Sequence, residues 1–246
     1  MITPTLDLER DLAAQGYDLI CGFDEVGRGA LAGPVMVGCA AIWARDLGSD
    51  AGGPLEVPAG VADSKLLTEH RREAIYDELT DWAATYAVGS ASNAEIDEWG
   101  IGHALGVAAL RALAEAERRL GIDATGMLDV TDAAGEAERR RVRVGAILDG
   151  PYDYITKTLG TFDAPDVPVP ASVTTKVKGD RSCASVAAAA VIAKVTRDRL
   201  MERLAERQEY AAYGWRSNKG YGTAAHKAAI AGRGPSDLHR VSWKLV

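Results

Sequence analysis

The run Leu19-Ile20-Cys21-Gly22-Phe23-Asp24-Glu25-Val26-Gly27-Arg28-Gly29 constrains this chain more than any other. An apolar segment carries two adjacent carboxylates to a strand end and then turns through Gly-Arg-Gly. Ionised carboxylates at the buried end of a strand are costly unless a cation neutralises them. Asp and Glu oxygens suit hard divalent metals. The two glycines bare backbone amides beside that position, where a phosphate or a sugar hydroxyl can approach. Metal-dependent chemistry on a phosphodiester is the expectation. Residues 18–26 and 34–43 read as two strands joined by this glycine-rich turn.

Charge first argues against a nucleic-acid partner, because the chain of 246 residues carries a net −7. Its distribution reverses that argument. Residues 1–138 carry a net −16 and residues 139–246 a net +9. A basic second half can present a phosphate-binding face whatever the global charge, since salt screens distant groups; a solvated basic helix surface is the competing reading. No apolar run approaches the roughly 20 residues of a membrane span. The N-terminus lacks the basic and apolar regions of a signal peptide. Cys21, Cys39 and Cys183 form no CxxC pair, which suits buried thiols in a reducing cytoplasm. A cytoplasmic protein with no membrane partner follows.

Thr68 is placed to cap a helix running to about residue 83. Residues 87–91 are a candidate strand, and Ser92-x-x-Glu95 forms a capping box opening a long helix that ends at Gly121. Residues 45–60 read as a loop, and 121–143 as an exposed insertion or short hairpin. Residues 144–148 and 169–177 are further strands. Ser182 opens an alanine-rich helix able to sit close against a sheet, and residues 223–231 form a last helix stopped by Gly232. No linker splits the chain, so one α/β domain spanning 1–246 is expected, a mixed sheet covered by helices.

Asp24-Glu25, Asp149 and Asp180 each follow an apolar or β-rich run and sit beside or near a glycine. Side chains at neighbouring strand ends converge, and converging carboxylates repel unless metals hold them. Two metals roughly 4 Å apart can activate a water and stabilise the leaving oxygen of a phosphodiester. Read singly, each is also an ordinary turn aspartate. Asp24 and Glu25 are adjacent and point to opposite faces of a regular strand. Either the strand is distorted there, or Glu25 offers its main-chain carbonyl. Lys178, Arg181, Lys194 and Arg197 cluster around Asp180 and the following helix, where backbone phosphates are candidate ligands. For Arg197 a structural ion pair is an equal alternative. Lys65 either contacts a phosphate or is a solvated loop lysine. His103 lies on an apolar stripe and reads as packed. No GxSxG, HExxH, Walker A or dinucleotide fingerprint occurs.

The ordered motifs resemble those of the ribonuclease HII family, from about residue 18 to 243. Gly22-Phe23-Asp24-Glu25-Val26-Gly27-Arg28-Gly29 with Leu31-Ala32-Gly33-Pro34-Val35 is similar to its opening signature. Asp63-Ser64-Lys65, Leu148-Asp149-Gly150, Lys178-Gly179-Asp180 and Ala193-Lys194-Val195-Thr196-Arg197-Asp198 follow in order. Lys219-Gly220-Tyr221-Gly222-Thr223 with His226, then His239-Arg240-Val241-Ser242-Trp243, resemble its closing motifs. Pro151 stands where the family often has Asn, Ala190 where a serine is common, and the loops at 45–60 and 121–143 are longer than usual.

The resemblance implies a ribonuclease H-like fold with a small C-terminal helical region from about residue 200. It implies Asp24, Glu25, Asp149 and Asp180 as the catalytic, metal-binding set, with Mn²⁺ or Mg²⁺ in a two-metal arrangement. Gly27, Arg28, Gly29 and Tyr221 would recognise a ribonucleotide, and Lys65, Lys178 and Arg181 would contact substrate. The 2′-hydroxyl distinguishes RNA from DNA, and the Tyr221 ring could pack on the neighbouring sugar without needing its hydroxyl. The implied activity is endonucleolytic hydrolysis of RNA in RNA–DNA hybrids, and cleavage 5′ of ribonucleotides embedded in duplex DNA, by a monomer. A strand-joining enzyme of integrase type and a non-catalytic hybrid-binding module are the rival readings.

Overall fold

The computed structural model describes residues 3–48, 55–61, 67–131 and 135–246. Helix α1 (Asp7–Ala14) precedes strands β1 (Leu19–Val26) and β2 (Val35–Trp43), and α2 (Glu69–Trp82) leads into β3 (Thr85–Ala91). Helices α3 (Asn93–Trp99) and α4 (Ile101–Arg119) follow, then a hairpin of β4 (Met127–Thr131) and β5 (Ala137–Arg141). Strand β6 (Val144–Asp149), α5 (Tyr154–Thr158), β7 (Ser172–Lys176) and α6 (Gly179–Ser182) bring the chain to the long α7 (Ala184–Ala205). Helices α8 (Trp215–Asn218) and α9 (Ala224–Arg233) complete it.

The main sheet has the order β3-β2-β1-β6-β7, with β1 antiparallel to β2 and parallel to β6. Strand periodicity decides what each face meets. Leu19, Cys21 and Phe23 pack with Ala104, Leu105 and Ala108 of α4, whereas Ile20, Ile42 and Ile147 pack with Ala184 and Val186 of α7. The alanines of α7 do seat it tightly. A Cβ at Gly22 would collide with the backbone of Ser185 and Val186, so glycine there sets the close approach. All three cysteines are free and buried.

Several local expectations hold. The side chain of Thr68 accepts the Arg71 amide at the start of α2, and the Ser92–Glu95 capping box is complete. Three differ. The predicted long helix is broken at Gly100, whose φ of 79° ends α3 before α4 begins. The last helix continues through Gly232 and stops at Gly234, also at φ 79°. Helices α1, α5 and α8 are too short to declare themselves by periodicity. Part of the 45–60 loop and the whole of 62–66 lie outside the described residues.

Glu117 on α4 is wholly buried, with Oε2 accepting the Val169 amide at 3.0 Å and Oε1 unpartnered among the described residues. Burial pushes its carboxyl up to about 8. A carboxyl whose folded pKa is raised holds its proton longer when folded, so stability falls as pH rises from about 4.5 to about 8. Glu117→Gln should therefore stabilise the protein at pH 7–8 by a few kcal/mol, on the order of 1.4 per pKa unit. The gain should vanish near pH 4.5, and urea unfolding of both forms across this range measures it.

Candidate active site

Because β1 and β6 run parallel with Phe23 opposite Leu148, the next residues, Asp24 and Asp149, emerge side by side. Asp180 arrives from α6, after a tight turn through Lys178 at φ 59°. The Asp149 Oδ1 accepts the Gly179 amide at 2.7 Å, which ties the end of β6 to that turn. One carboxylate oxygen from each of Asp24, Asp149 and Asp180 lies within 4.8 Å of the others. Asp24 is 5% and Asp180 3% exposed. Asp149 is half-buried, and three hard oxygen donors this close fit a divalent cation and repel one another without one.

Strand β1 stays in ladder register through Glu25, opposite Val37. Distortion at Glu25 is thus not what the structure shows. Asp24 faces α7 and Asp180, while the Glu25 side chain turns to the α4 face. There its Oε1 accepts from Arg28 Nη1 at 3.0 Å and its Oε2 from the Tyr154 hydroxyl at 3.1 Å. Burial, then the nearby charges of Glu25 and Asp24, push the Tyr154 phenol well up, so it remains a donor. Sequence reasoning missed Tyr154, since nothing local marks a tyrosine in a five-residue helix as a partner of residue 25.

The Gly27-Arg28-Gly29 turn is held from beneath by two buried arginines. Arg240 donates to the carbonyls of Gly27 (2.7 Å), Arg28 (2.8 Å) and Gly33 (3.1 Å). Arg197 donates to those of Pro34, Lys219 and Ala32. Arg197 is therefore neither a phosphate ligand nor an ion pair; its acceptors are carbonyls. Gly27 adopts φ 79°, and a Cβ there would strike the Arg197 guanidinium, whereas a Cβ at Gly29 would meet open space. The first glycine serves the fold and the second leaves an approach open.

Tyr221 lies across this turn. Its hydroxyl accepts the Gly27 amide at 3.2 Å, and Lys194 Nζ and the Arg197 guanidinium lie 5.8 and 5.5 Å from its ring centre. Its carbonyl is 2.9 Å from His226 Nδ1. The Ser236 amide donates to His239 Nδ1, so His239 Nε2 carries the proton and donates to His226 Nε2 at 3.1 Å. Burial lowers both histidines, His239 to about 4 with His226 adding to the effect. The pair is a neutral relay that fixes the Tyr221 backbone.

Two cavities flank the end of β1. One of about 240 Å³ is lined by Asp24, Gly27, Gly29, Ala190, Lys194 and Tyr221. The other, of about 320 Å³, includes Asp149, His103, Tyr152 and Lys157; Glu25 and Arg28 line both. Lys178 and Arg181 are exposed beside Asp180. His103 is half-buried, edge-on to Trp99, with Nε2 2.6 Å from Asp163 Oδ2. Lys65 lies outside the described residues.

A mixed sheet whose adjacent parallel strands and following helix converge three carboxylates, two buried and one half-buried, beside a bare-backbone turn, defines a metal-dependent phosphodiester hydrolase of ribonuclease H type. The model of the ribonuclease HII family matches residues 21–246. The ribonuclease HII of Streptomyces avermitilis is 44% identical over 242 residues, covering 98% of this chain and 83% of that one. That of Bacillus licheniformis is 38% identical over 238 residues, covering 97% and 74%. Among solved structures, ribonuclease H2 from Pyrococcus horikoshii OT3 superposes with a TM-score of 0.56 at 26% identity, covering 92% of this chain and 94% of that one. The ribonuclease HII of Archaeoglobus fulgidus, solved in complex with PCNA, gives 0.59 at 25%, covering 93% and 96%. The chain belongs to the ribonuclease HII family.

Proposed function

We propose that this protein is a metal-dependent endonuclease that hydrolyses the RNA strand of RNA–DNA hybrids. We extend this to cleavage 5′ of single ribonucleotides embedded in duplex DNA, leaving 5′-phosphate and 3′-hydroxyl ends. The observation that carries the reading is the convergence of Asp24, Asp149 and Asp180 within 4.8 Å beside the Gly27–Gly29 turn. These three side chains, with the Glu25 main-chain carbonyl, would hold Mg²⁺ or Mn²⁺. Such ions supply Lewis-acid stabilisation of the phosphoryl oxygens and acidify an attacking water.

The remaining work falls to the chain's own residues. The open space at Gly29 admits the ribose, so that backbone rather than side chain meets the 2′-hydroxyl. The Tyr221 ring supports the adjoining sugar, while its hydroxyl keeps the Gly27 amide in place. Lys178 and Arg181 offer charge to backbone phosphates. We extend the reading to ribonucleotide removal from DNA by a monomer in the cytoplasm. Among the described residues no helix is long and apolar enough to cross a membrane.

Three duplexes test the proposal: all-DNA, one embedded ribonucleotide, and a long hybrid, each with Mg²⁺ and Mn²⁺ in turn. The expected outcome is no cleavage of the first, and metal-dependent cleavage of the other two with ligatable 5′-phosphates. Binding without cleavage under every metal condition would leave only a hybrid-binding module.

A further inference from the structure

The larger cavity sits on the far side of the carboxylates from Tyr221, and its outer wall is formed by the stretch between β6 and β7, where the family departure Pro151 lies. That stretch is pinned at four points. Tyr154 donates to Glu25 at 3.1 Å, and Asp163 meets His103 at 2.6 Å. The Val169 amide reaches Glu117 at 3.0 Å. Thr158 packs so closely on Gly106 of α4 that a Cβ there would collide with it. A five-residue helix docked this firmly frames a permanent recess rather than a loose crevice.

The recess is electrostatically divided. Its inner end carries the carboxylates of Glu25 and Asp149, and its remaining lining includes Arg28, His103 and Lys157. The 2.6 Å contact of Nε2 with Asp163 fixes the His103 ring in the wall. Lys157 is exposed and makes no hydrogen bond or ion pair with any described residue. Tyr152, 65% exposed, supplies a ring at the mouth. An unpaired lysine with an adjacent exposed ring and an imidazole suits a sugar-phosphate backbone.

We infer that this recess is a second backbone-binding site, in which Lys157 and His103 hold the phosphate immediately 5′ of the scissile one while Tyr152 packs on the intervening sugar. The inference rests on the proposed cleavage of ribonucleotide-containing duplexes. Its geometry is simple. The two cavities share Glu25 and Arg28, and Asp24 and Asp149 fall one to each. A strand crossing the metal-binding carboxylates leaves one cavity and enters the other. If the ribose 3′ of the cut lies by Tyr221 and Gly29, the nucleotide 5′ of the cut lies against α5.

Single-turnover cleavage of a one-ribonucleotide duplex by the full chain tests this, with a neutral methylphosphonate replacing each phosphate near the cut in turn. On the unmodified duplex, Lys157→Ala should weaken half-saturation about five- to tenfold and reduce the log–log salt slope by about 1. His103→Gln and Tyr152→Ala should each weaken it less. The Lys157→Ala penalty should disappear only when the neutral linkage stands immediately 5′ of the scissile phosphate. Lys157 is exposed, so its replacement does not threaten the fold, and a thermal melt checks this. A penalty that persists with every modified duplex, or cancels only with a linkage 3′ of the cut, overturns the site. Failure of the wild-type protein to cleave the unmodified duplex would instead refute the underlying activity.

Discussion

Asp149→Asn is expected to reduce single-turnover cleavage of a hybrid by on the order of 10³-fold or more, with the fold intact. Asp24→Asn should do the same. Asparagine keeps an Oδ1 acceptor, so the Gly179 amide at Asp149 and the Glu25 amide at Asp24 retain their partners. The substitution removes charge without leaving a buried donor unsatisfied. It also relieves repulsion among carboxylates within 4.8 Å of one another, so stability without metal should hold or rise. The melting temperature discriminates further. Adding Mg²⁺ or Mn²⁺ should raise it for the wild type, because an ion that binds only the folded state stabilises by mass action. In either variant that increment should shrink or vanish. Wild-type turnover in Asp149→Asn at saturating metal would remove Asp149 from the centre.

Tyr221→Ala should lower the rate at a single ribonucleotide about ten- to hundredfold, the worth of roughly 1–3 kcal/mol of lost ring packing felt in the transition state. Metal titration by calorimetry should be unchanged. Packing alone would make Tyr221→Phe harmless, but the hydroxyl accepts the Gly27 amide at 3.2 Å. Tyr221→Phe should therefore lose a few-fold, as expected for one hydrogen bond of about 1 kcal/mol. Gly29→Val isolates the steric component. A Cβ at Gly29 meets no protein atom within 4 Å, so the fold should tolerate the change while the ribose approach is blocked. Gly27→Ala makes a poor control, since it would disturb the Arg197 clamp. Full activity in both Tyr221→Ala and Gly29→Val would place ribose recognition elsewhere.

The order of strands and main helices, the caps at Thr68 and Ser92, and the acidic strand ends were all legible in the sequence. Each depends on local chemistry: alternation along β1, side chains able to accept nearby amides, carboxylates following apolar runs. The sequence also left Glu25 between a distorted strand and a main-chain carbonyl, and the regular register removes the distortion. Its ladder position opposite Val37 turns the side chain toward Tyr154 and Arg28, away from the face that Asp24 shares with Asp180.

Only tertiary structure could show that Arg197 and Arg240 grip carbonyls of residues 27–34, because carbonyls are present at every residue and carry no sequence signature. The same holds for the His226–His239 relay behind Tyr221, and for α5, five residues whose place is set by Glu25, Gly106 and the segment running to Val169. Local sequence determined which chemistry sits at each strand end. Long-range packing decided which side chains face it, since that depends on sheet register and on the surfaces that close over the strands.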